Sequence, residues 1–283
     1  MAAEVVFLNR MGGVPNVGDL LCSPYLYFKH LFPNSRRMEI HLGDGRRGRW
    51  RNAVINSRVL LRSKALVIGG GGLLGLQYFA DDLGYWSSTP FCPKVLWGAG
   101  HNAHDVFAVD RRDTSTYRYT QMNRFDKIGI RDWDMGYDWV PCASCMHPEL
   151  SLPVSESCGL VAALHYETRD SGTFLRDLIR STNLPVEIVY NNDCAEAFIG
   201  KMRSARAVVT NSYHGVYWAT LLGKRVVVVG GGSKVRMLKH SPVIASLDDW
   251  PRKIEEASVY SDALEECRER SCEFCQEAAR ICA

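Results

Sequence analysis

The segment TNSYHGVYWATLLGK, residues 210–224, places a serine, a tyrosine, a histidine and a glycine between two apolar stretches. The spacing predicts a strand, a short loop and a helix, with Ser212 at the N-cap of that helix. The backbone amides of Tyr213, His214 and Gly215 would then point from the helix start toward a bound anion. This pattern predicts an anion site with the His214 imidazole beside it, although a lone helical histidine is usually inert.

Two further residues suited to chemistry follow other predicted strands. Arg131 comes directly after KIGI and is suited to bind a carboxylate or a phosphate with two parallel hydrogen bonds. A surface ion pair between Arg131 and Asp132 or Asp134 is the alternative. His101 follows KVLWGAG, at a place where an imidazole is more often chemical than structural, and His104 is a second candidate for the same role.

Glycine-rich loops supply candidate anion cradles. GGGGLLG follows the third predicted strand, and the backbone amides of Gly70, Gly71 and Gly72 are predicted to face a ligand. No Lys-Ser/Thr pair follows these glycines, so this is not a Walker motif. GGGSK follows a later strand, with Lys234 placed to reach a phosphate and Arg236 as a second cation. WGAGHNA fits the dinucleotide spacing, but an arginine follows the next strand where an acidic residue is needed, which disfavours a nicotinamide cofactor.

The first predicted strand is followed by NVGD, in which Asn16 and Asp19 flank Gly18. Gly18 would let the backbone approach a ligand, because glycine has no side chain. Asn16 and Asp19 are predicted to contact that ligand, with Asp19 accepting a hydrogen bond from it. A helix cap is the alternative role for Asp19.

These residues can meet only if the strands before them end at a common edge. Short β-branched runs alternate with segments of helical spacing: EVVFLN, MEIHL, ALVIGG, KVLWGAG, KIGIRD, GLVAALHY, VEIVYN, AVVTNS and RVVVVGG. The alternation predicts an α/β fold of two Rossmann-like, doubly wound lobes with parallel sheets, and ligands lie at the carboxyl ends of such strands. Residues 142–157, rich in Pro, Ser and Cys, are predicted to be a linker. The predicted parts are an N-terminal lobe over 1–150, a C-terminal lobe over 151–246, and a helical tail over 247–283 that packs across both.

Charge and hydropathy exclude several classes of function. The 283 residues contain 34 basic and 31 acidic side chains, a formal net charge of +3, which argues against a nucleic-acid partner. The arginines between positions 46 and 62 are predicted to form a solvated face, with a phosphate-rich or membrane-surface partner as the alternative. The N-terminus lacks signal-peptide features, and no stretch is long and apolar enough to span a bilayer. A cytoplasmic protein is therefore expected.

Ten cysteines are present, and two groups of them have metal-like spacing. Cys142 and Cys145 form one C-x-x-C pair, and Cys272 and Cys275 form another within a C-terminal cluster. The pairs lie far apart in the chain, so buried free thiols are expected and a four-thiolate zinc site is the alternative.

The order of NVGD, GGGGLL, WGAGHN, IRD, VPCASCMH and TNSYHGVYWATLLGK followed by GGGSK resembles the polysaccharide pyruvyl transferase family over most of the chain. The resemblance implies a two-lobed GT-B-like fold and transfer of the enolpyruvyl part of phosphoenolpyruvate to a sugar, commonly as a cyclic ketal. It implies that His214 is the family's helix-start histidine, Arg131 its phosphoenolpyruvate-binding arginine and His101 its loop histidine. Many members have an arginine where this chain has Ser212, so Lys234 or Arg236 is expected to assist Arg131.

The implied reaction needs no metal and no cofactor, since phosphoenolpyruvate is the donor substrate. The implied acceptor is a sugar, either lipid-linked or polymeric, and a lipid-linked one would place the protein at the inner face of the membrane. His214 is expected to act as the acid or the phosphate partner, and His101 or Asp19 as the base toward the sugar hydroxyl. The alternatives are a GT-B glycosyltransferase, a nucleotide-sugar epimerase, or a non-catalytic carbohydrate-binding relative.

Overall fold

The computed structural model describes residues 4–13, 16–43, 45–75, 77–102, 117, 120–153, 158–230 and 232–283. These residues form two α/β lobes, each built on a parallel sheet, and a C-terminal helix. The predicted fold class is confirmed.

The N-terminal sheet has the strand order β2-β1-β3-β4-β5-β6, and every pair is parallel. β3 and β4 are almost wholly buried, because helices and loops cover both faces of a parallel sheet. The strands are β1 (Glu4–Asn9), β2 (Ser35–Glu39), β3 (Ser63–Gly69), β4 (Lys94–Ala99), β5 (Lys127–Ile130) and β6 (Asp138–Trp139).

The C-terminal sheet has the order β11-β10-β9-β7-β8 and is also parallel throughout. Its strands are β7 (Cys158–Leu164), β8 (Val186–Tyr190), β9 (Ala205–Thr210), β10 (Arg225–Val229) and β11 (Val243–Ala245).

Helices cover both sheets. They are α1 (Val17–Leu21), α2 (Tyr25–Phe28), α3 (Gly45–Leu60), α4 (Ala80–Ser87), α5 (Gly172–Arg180), α6 (Ala195–Ser204), α7 (Tyr213–Leu221), α8 (Trp250–Lys253) and α9 (Ala263–Cys282). All residues of α7 are buried, and most of them are apolar, as a helix in a protein core requires. No helix among the described residues has the length and apolar character needed to cross a bilayer.

One strand lies elsewhere than the sequence predicts, and two strands were not predicted. β2 begins at Ser35, before the predicted run MEIHL, and its polar residues are tolerated because it is an edge strand. β6 and β11 were not predicted, since two and three residues are too short to show a strand pattern.

The segment predicted to be a linker is packed between the lobes over its described part, residues 142–153. It forms two 3₁₀ helices, Ala143–Met146 and Pro148–Ser151, and Cys142 and Cys145 are fully buried. Tyr217 Oη donates to the Cys142 carbonyl at 2.9 Å, and Trp218 Nε1 donates to Ser144 Oγ at 2.9 Å. Cys142 and Ser144 therefore have buried partners on α7, and the Cys145 thiol lies 3.4 Å from Ser271 Oγ on α9. Residues 154–157 lie outside the described residues.

α9 contacts both lobes. Near its start, Cys267 belongs to the core that α7 shares with the C-terminal lobe. Two turns later, Phe274 packs on the N-terminal sheet, with its ring centroid 5.4 Å from that of Trp97. The helix thus fixes the two lobes relative to each other through buried apolar contacts.

The order in which the chain adds strands reverses at equivalent places in the two sheets. The chain runs from β1 outward to β2 and then back past β1 to β3, and it runs from β7 to β8 and back past β7 to β9. Such switch points open a crevice at the carboxyl ends of the strands. The loops after β1, β3, β7 and β9 are therefore the expected walls of a site.

Candidate active site

A cavity of about 730 Å³ lies between the lobes at these carboxyl ends. The N-terminal lobe lines it with Arg10, Gly12, Gly13, Asn16, Asp19, Gly72, Asn102 and Arg131. The C-terminal lobe lines it with His165, Tyr166, Glu167, Thr168, Asn211, Ser212, Tyr213, His214, Gly230, Gly232, Lys234, Arg236, Ile244 and Ala245. Most of the predicted site residues thus meet in one cleft.

Arg131, directly after β5, is the buried cation of this cleft, with 3% of its surface exposed. Its guanidinium carbon lies 3.8 Å from the centroid of the Tyr213 ring, so the planar group stacks on that ring. Gly100 leaves room for it, because an added Cβ there would lie 2.3 Å from Arg131 Nε. Burial lowers the pKa of Arg131, but Tyr213 and Asp132 raise it above its ordinary value, so the group stays charged.

The alternative of a surface ion pair for Arg131 is wrong. No carboxylate within the described ranges forms an ion pair with Arg131, and its buried Nε has no hydrogen-bond partner there. Asp132 is also buried, and its Oδ2 instead accepts from the His101 backbone amide at 2.6 Å and from Tyr117 Oη at 2.8 Å. Asp132 thus ties the loop after β4 to β5, and Arg131 is left available to an anion.

His101 is 3% exposed and is not among the residues that line the cavity, although its neighbour Asn102 is. Burial, together with the charge of Arg131, lowers the pKa of His101 to about 4. The imidazole is therefore neutral near neutral pH. Ala103 and His104, the other loop residues singled out in the sequence, lie outside the described residues.

The lowered pKa of His101 predicts a pH dependence of folding stability. The unfolded chain binds a proton at His101 below about pH 6.5 while the folded chain does not, so stability falls as the pH drops through this window toward 4. Between about pH 7 and about pH 5 we expect this residue to account for roughly 2 kcal/mol. Urea unfolding of wild type and His101→Gln at both pH values measures the difference, and equal pH slopes for the two proteins would contradict it.

His214 is the second residue of α7 and is 4% exposed. Its ring centroid lies 5.0 Å from those of Tyr213 and Trp218, and Nε2 lies 3.6 Å from Cys142 Sγ. Burial, then the charges of Arg131 and Lys234, lower the pKa of His214 well below its ordinary value. A neutral imidazole can donate one N–H to an anion but carries no excess proton, which suits a phosphate partner better than an acid.

Gly18 leaves room for the His214 imidazole. An added Cβ at Gly18 would lie 1.9 Å from His214 Nδ1, so the glycine lets α1 and α7 approach across the lobe boundary. The expectation that Gly18 admits a ligand is therefore wrong, because the histidine fills that space. The same approach is supported by the Val17 amide, which donates to the Asn191 carbonyl at 2.8 Å.

Asp19 lies in the first turn of α1 and is exposed into the cavity. Asn16 is the N-cap, with its side-chain oxygen accepting from the Gly18 amide at 3.0 Å, so the capping alternative for Asp19 is wrong. The walls of the cleft remove water from Asp19 and raise its pKa, while Lys234 and Arg131 oppose the shift. A carboxyl in this setting is suited to exchange protons with a substrate.

The start of α7 differs in detail from the expected cap. Ser212 occupies the N-cap position and lines the cavity, but its side chain makes no capping hydrogen bond. Its amide donates to Thr210 Oγ1 at 3.0 Å. Gly215 is not in the cavity wall, and an added Cβ there would lie 2.2 Å from Thr210 Oγ1. Gly215 therefore brings α7 close to β9, while Ser212 and Tyr213 face the cleft.

The three glycines in the loop after β3 have different roles. Gly70 and Gly71 have φ of +82° and +85° and face Cys22, and an added Cβ at Gly70 would lie 2.3 Å from the Cys22 carbonyl oxygen. Gly72 lines the cavity. The first two glycines thus let the loop pack on the chain that follows α1, and only the third of this trio contacts the open space.

Lys234 and Arg236 line the opposite wall. Lys234 makes no hydrogen bond or ion pair with any other residue that the structure describes. Burial and the charge of Arg131 lower its pKa, while Asp19 and Glu167 raise it. The nearby acids thus favour the charged form of Lys234, and a ligand anion would favour it further.

The sequence reasoning missed several residues of the cavity wall, of which Arg10, His165 and Asn211 directly follow β1, β7 and β9. The His165 amide donates to Asn211 Oδ1 at 2.8 Å, which joins the two C-terminal loops. Arg10 forms an ion pair with Glu39 at 3.7 Å. Their position directly after strands is the sequence signal that marks them as candidate site residues.

The cysteines are free thiols wherever their side chains are described. Burial raises the pKa of Cys142 and raises that of Cys145 to about 12, so neither is a thiolate near neutral pH. Within the described part of the chain, no three His, Cys, Asp or Glu side chains are grouped so that they could hold a metal ion.

The two lobes and the cleft between them define the GT-B arrangement. Among solved structures, the UDP-GlcNAc 2-epimerase of Methanocaldococcus jannaschii is similar, with a TM-score of 0.56 at 9% identity over 98% of this chain and 99% of the other. HepE of Anabaena, solved in complex with UDP and glucose, is similar with a TM-score of 0.52 at 12% identity over 98% of each chain. No protein-family model and no curated protein matches the sequence. At these identities the likeness shows the fold alone.

Proposed function

We propose that the protein transfers the pyruvyl group of phosphoenolpyruvate to a sugar and releases phosphate. The observation that carries the proposal is the pairing of a buried guanidinium, Arg131, with an ammonium group, Lys234, on facing walls of the cleft. Phosphoenolpyruvate has two anionic ends, a carboxylate and a phosphate, and needs two cationic positions a short distance apart. The family resemblance of the sequence supports the same assignment.

Each residue has a role in this proposal. Arg131, fixed by stacking on Tyr213, binds one anionic end through its fork of N–H groups, and Lys234 binds the other as a compact charge. His214 donates its one N–H to the phosphate. Asp19, which is open to the cavity, moves the protons. Its raised pKa suits a group that must be protonated in one step and ionised in another.

The proposed chemistry balances without an added cofactor. A proton from Asp19 adds to the methylene carbon of phosphoenolpyruvate, and a sugar hydroxyl bonds to the neighbouring carbon while its own proton passes to the carboxylate. A second hydroxyl of the sugar then displaces phosphate and closes the ketal, and the proton of that hydroxyl leaves on the phosphate. The charges of Arg131 and Lys234 stabilise the anions that develop, which is commonly the largest catalytic contribution.

A nucleotide-sugar enzyme is the second candidate. Of the two similar structures, HepE was solved with UDP and glucose, and the other is a UDP-GlcNAc 2-epimerase. The cavity of about 730 Å³ is large enough for a nucleotide sugar. In that case the amides at the start of α7 would face the diphosphate.

Ligand-dependent thermal unfolding separates the two candidates. We expect millimolar phosphoenolpyruvate to raise the melting temperature, while UDP-glucose and UDP-GlcNAc at the same concentration leave it unchanged. Stabilisation by a nucleotide sugar alone would overturn the pyruvyl proposal.

Turnover is then tested by phosphate release from phosphoenolpyruvate in the presence of a panel of hexoses and hexose-containing glycans. Asp19→Asn is the matched variant, since it keeps the shape and removes the proton exchange. We expect it to keep the thermal stabilisation by phosphoenolpyruvate and to lose about 10² to 10⁴ in rate. Full turnover in Asp19→Asn would exclude the assigned role.

A further inference from the structure

The outer face of α3 presents apolar side chains to solvent. Trp50 is 67% exposed and Val54 is 60% exposed, and Leu61, which follows the helix, is 69% exposed. Their spacing of four and seven residues places them on one stripe of a helix. The Leu61 amide donates to the Ser57 carbonyl, so the helical path continues as far as this residue. The stripe is large and apolar for a surface exposed to solvent.

The other side of α3 is fixed to the lobe. Val59 and Leu60 pack against the core beneath β1 and β3, and Asn52 Nδ2 donates to the Leu42 carbonyl at 2.7 Å. The helix is therefore held with its apolar stripe directed outward.

The charge of α3 is entirely basic. Its sequence, GRRGRWRNAVINSRVL, has five arginines and no acidic residue, and Arg62 and Lys64 follow it. Arg58, Arg62 and Lys64 are all exposed. Arg58 and Arg62 are four residues apart, and so they lie side by side along the helical path next to the apolar stripe.

We propose that this face of α3 docks the protein on an anionic phospholipid membrane. A surface helix that combines exposed Trp, Val and Leu with arginines lies in the interface, with apolar groups at the acyl boundary and cations at lipid phosphates. A two-fold contact with a second copy would set the arginines of both helices against each other. A nucleic-acid backbone would match the arginines but would leave the apolar stripe in water.

The docking face and the cleft are compatible. α3 begins after β2, at the carboxyl edge of the N-terminal sheet where the cleft opens, and ends at the opposite edge just before β3, so Trp50 is at the end of the docking face that lies nearer the cleft. A sugar acceptor carried by a lipid would then be presented near the cleft. This consequence rests on the proposed function, whereas membrane docking itself does not.

The test is co-sedimentation of the full chain with vesicles, in the absence of any substrate. Vesicles of phosphatidylglycerol and phosphatidylcholine in equal parts are compared with vesicles of phosphatidylcholine alone. We expect binding to the anionic vesicles that weakens as salt is raised. Arg58→Ala with Arg62→Ala should weaken it about 25-fold, since each cation near an anionic surface contributes about fivefold. Trp50→Ser with Val54→Ser should weaken it at least tenfold.

The control replaces exposed apolar residues elsewhere: Ile179→Ser with Leu184→Ser in the C-terminal lobe, which are 42% and 55% exposed in wild type. This variant should bind vesicles as wild type does, and all variants should retain the wild-type melting temperature. Failure of wild type to bind anionic vesicles, or equal loss in the control, would overturn the proposal. A wild-type dimer that the Trp50 variant dissociates, without vesicle binding, would assign the face to a second copy instead. Neither result affects the phosphoenolpyruvate test.

Discussion

Replacing Arg131 by lysine is expected to lower kcat/KM for phosphoenolpyruvate by about a hundredfold or more. Lysine keeps the charge but loses the planar fork and the stacking on Tyr213, which lies 3.8 Å from the guanidinium carbon. Two hydrogen bonds between charged groups contribute about 3 kcal/mol in such a site, which corresponds to this factor. Steady-state phosphate release gives the activity, and thermal shift with phosphoenolpyruvate gives the binding.

Arg203→Lys is the matched control. Arg203 is partly buried, and its Nη1 donates at 2.9 Å to both the carbonyl and a carboxylate oxygen of Glu149, but it is not in the cavity wall. The Arg203→Lys substitution should change kcat/KM for phosphoenolpyruvate less than twofold. If Arg131→Lys binds phosphoenolpyruvate as wild type does, Arg131 is not the anion ligand.

Gly18→Ala is expected to destabilise the fold and to disturb the site together. The added methyl would lie 1.9 Å from His214 Nδ1, so either α1 or the imidazole must move. Overpacking of this kind costs about 1 to 3 kcal/mol in the free energy of unfolding. Because Asp19 is the next residue of α1, its position in the cleft shifts as well, and we expect activity to fall at least tenfold.

Gly84→Ala, in the middle of α4, is the control for the stability effect. An added Cβ there meets no atom within 4 Å, so alanine should stabilise the helix by about 0.5 to 1 kcal/mol. His214→Ala supplies a second test, since it removes the clashing ring. In the His214→Ala background, Gly18→Ala should lower the free energy of unfolding little or not at all. A loss as large as in wild type would show that the strain does not come from His214.

Much of the fold follows from the sequence. The β-branched runs predicted both parallel sheets, because a strand buried on two faces is apolar at nearly every position, as β4 is. β6 and β11 could not be predicted, since their pairing depends on a neighbouring strand and not on their own pattern.

The site was predictable as a set of strand ends, but not as a set of contacts. Arg131, Asp19, Ser212 and Lys234 each follow a strand, and the structure brings all four to one cavity. The partner of Gly18 could not be predicted, because His214 lies almost two hundred residues away and on the other lobe. The same reason applies to the packed segment after Pro141, whose composition is typical of a linker but whose Cys142, Ser144 and Cys145 have partners on α7 and α9.

A crystal structure of the wild-type protein with phosphoenolpyruvate would show how the cleft binds this substrate. We expect one phosphoenolpyruvate in the cleft between the lobes, with its carboxylate and phosphate divided between Arg131 and Lys234 and with Asp19 beside the methylene carbon. A cleft that does not bind phosphoenolpyruvate, but binds UDP with its diphosphate at the start of α7, would contradict this expectation.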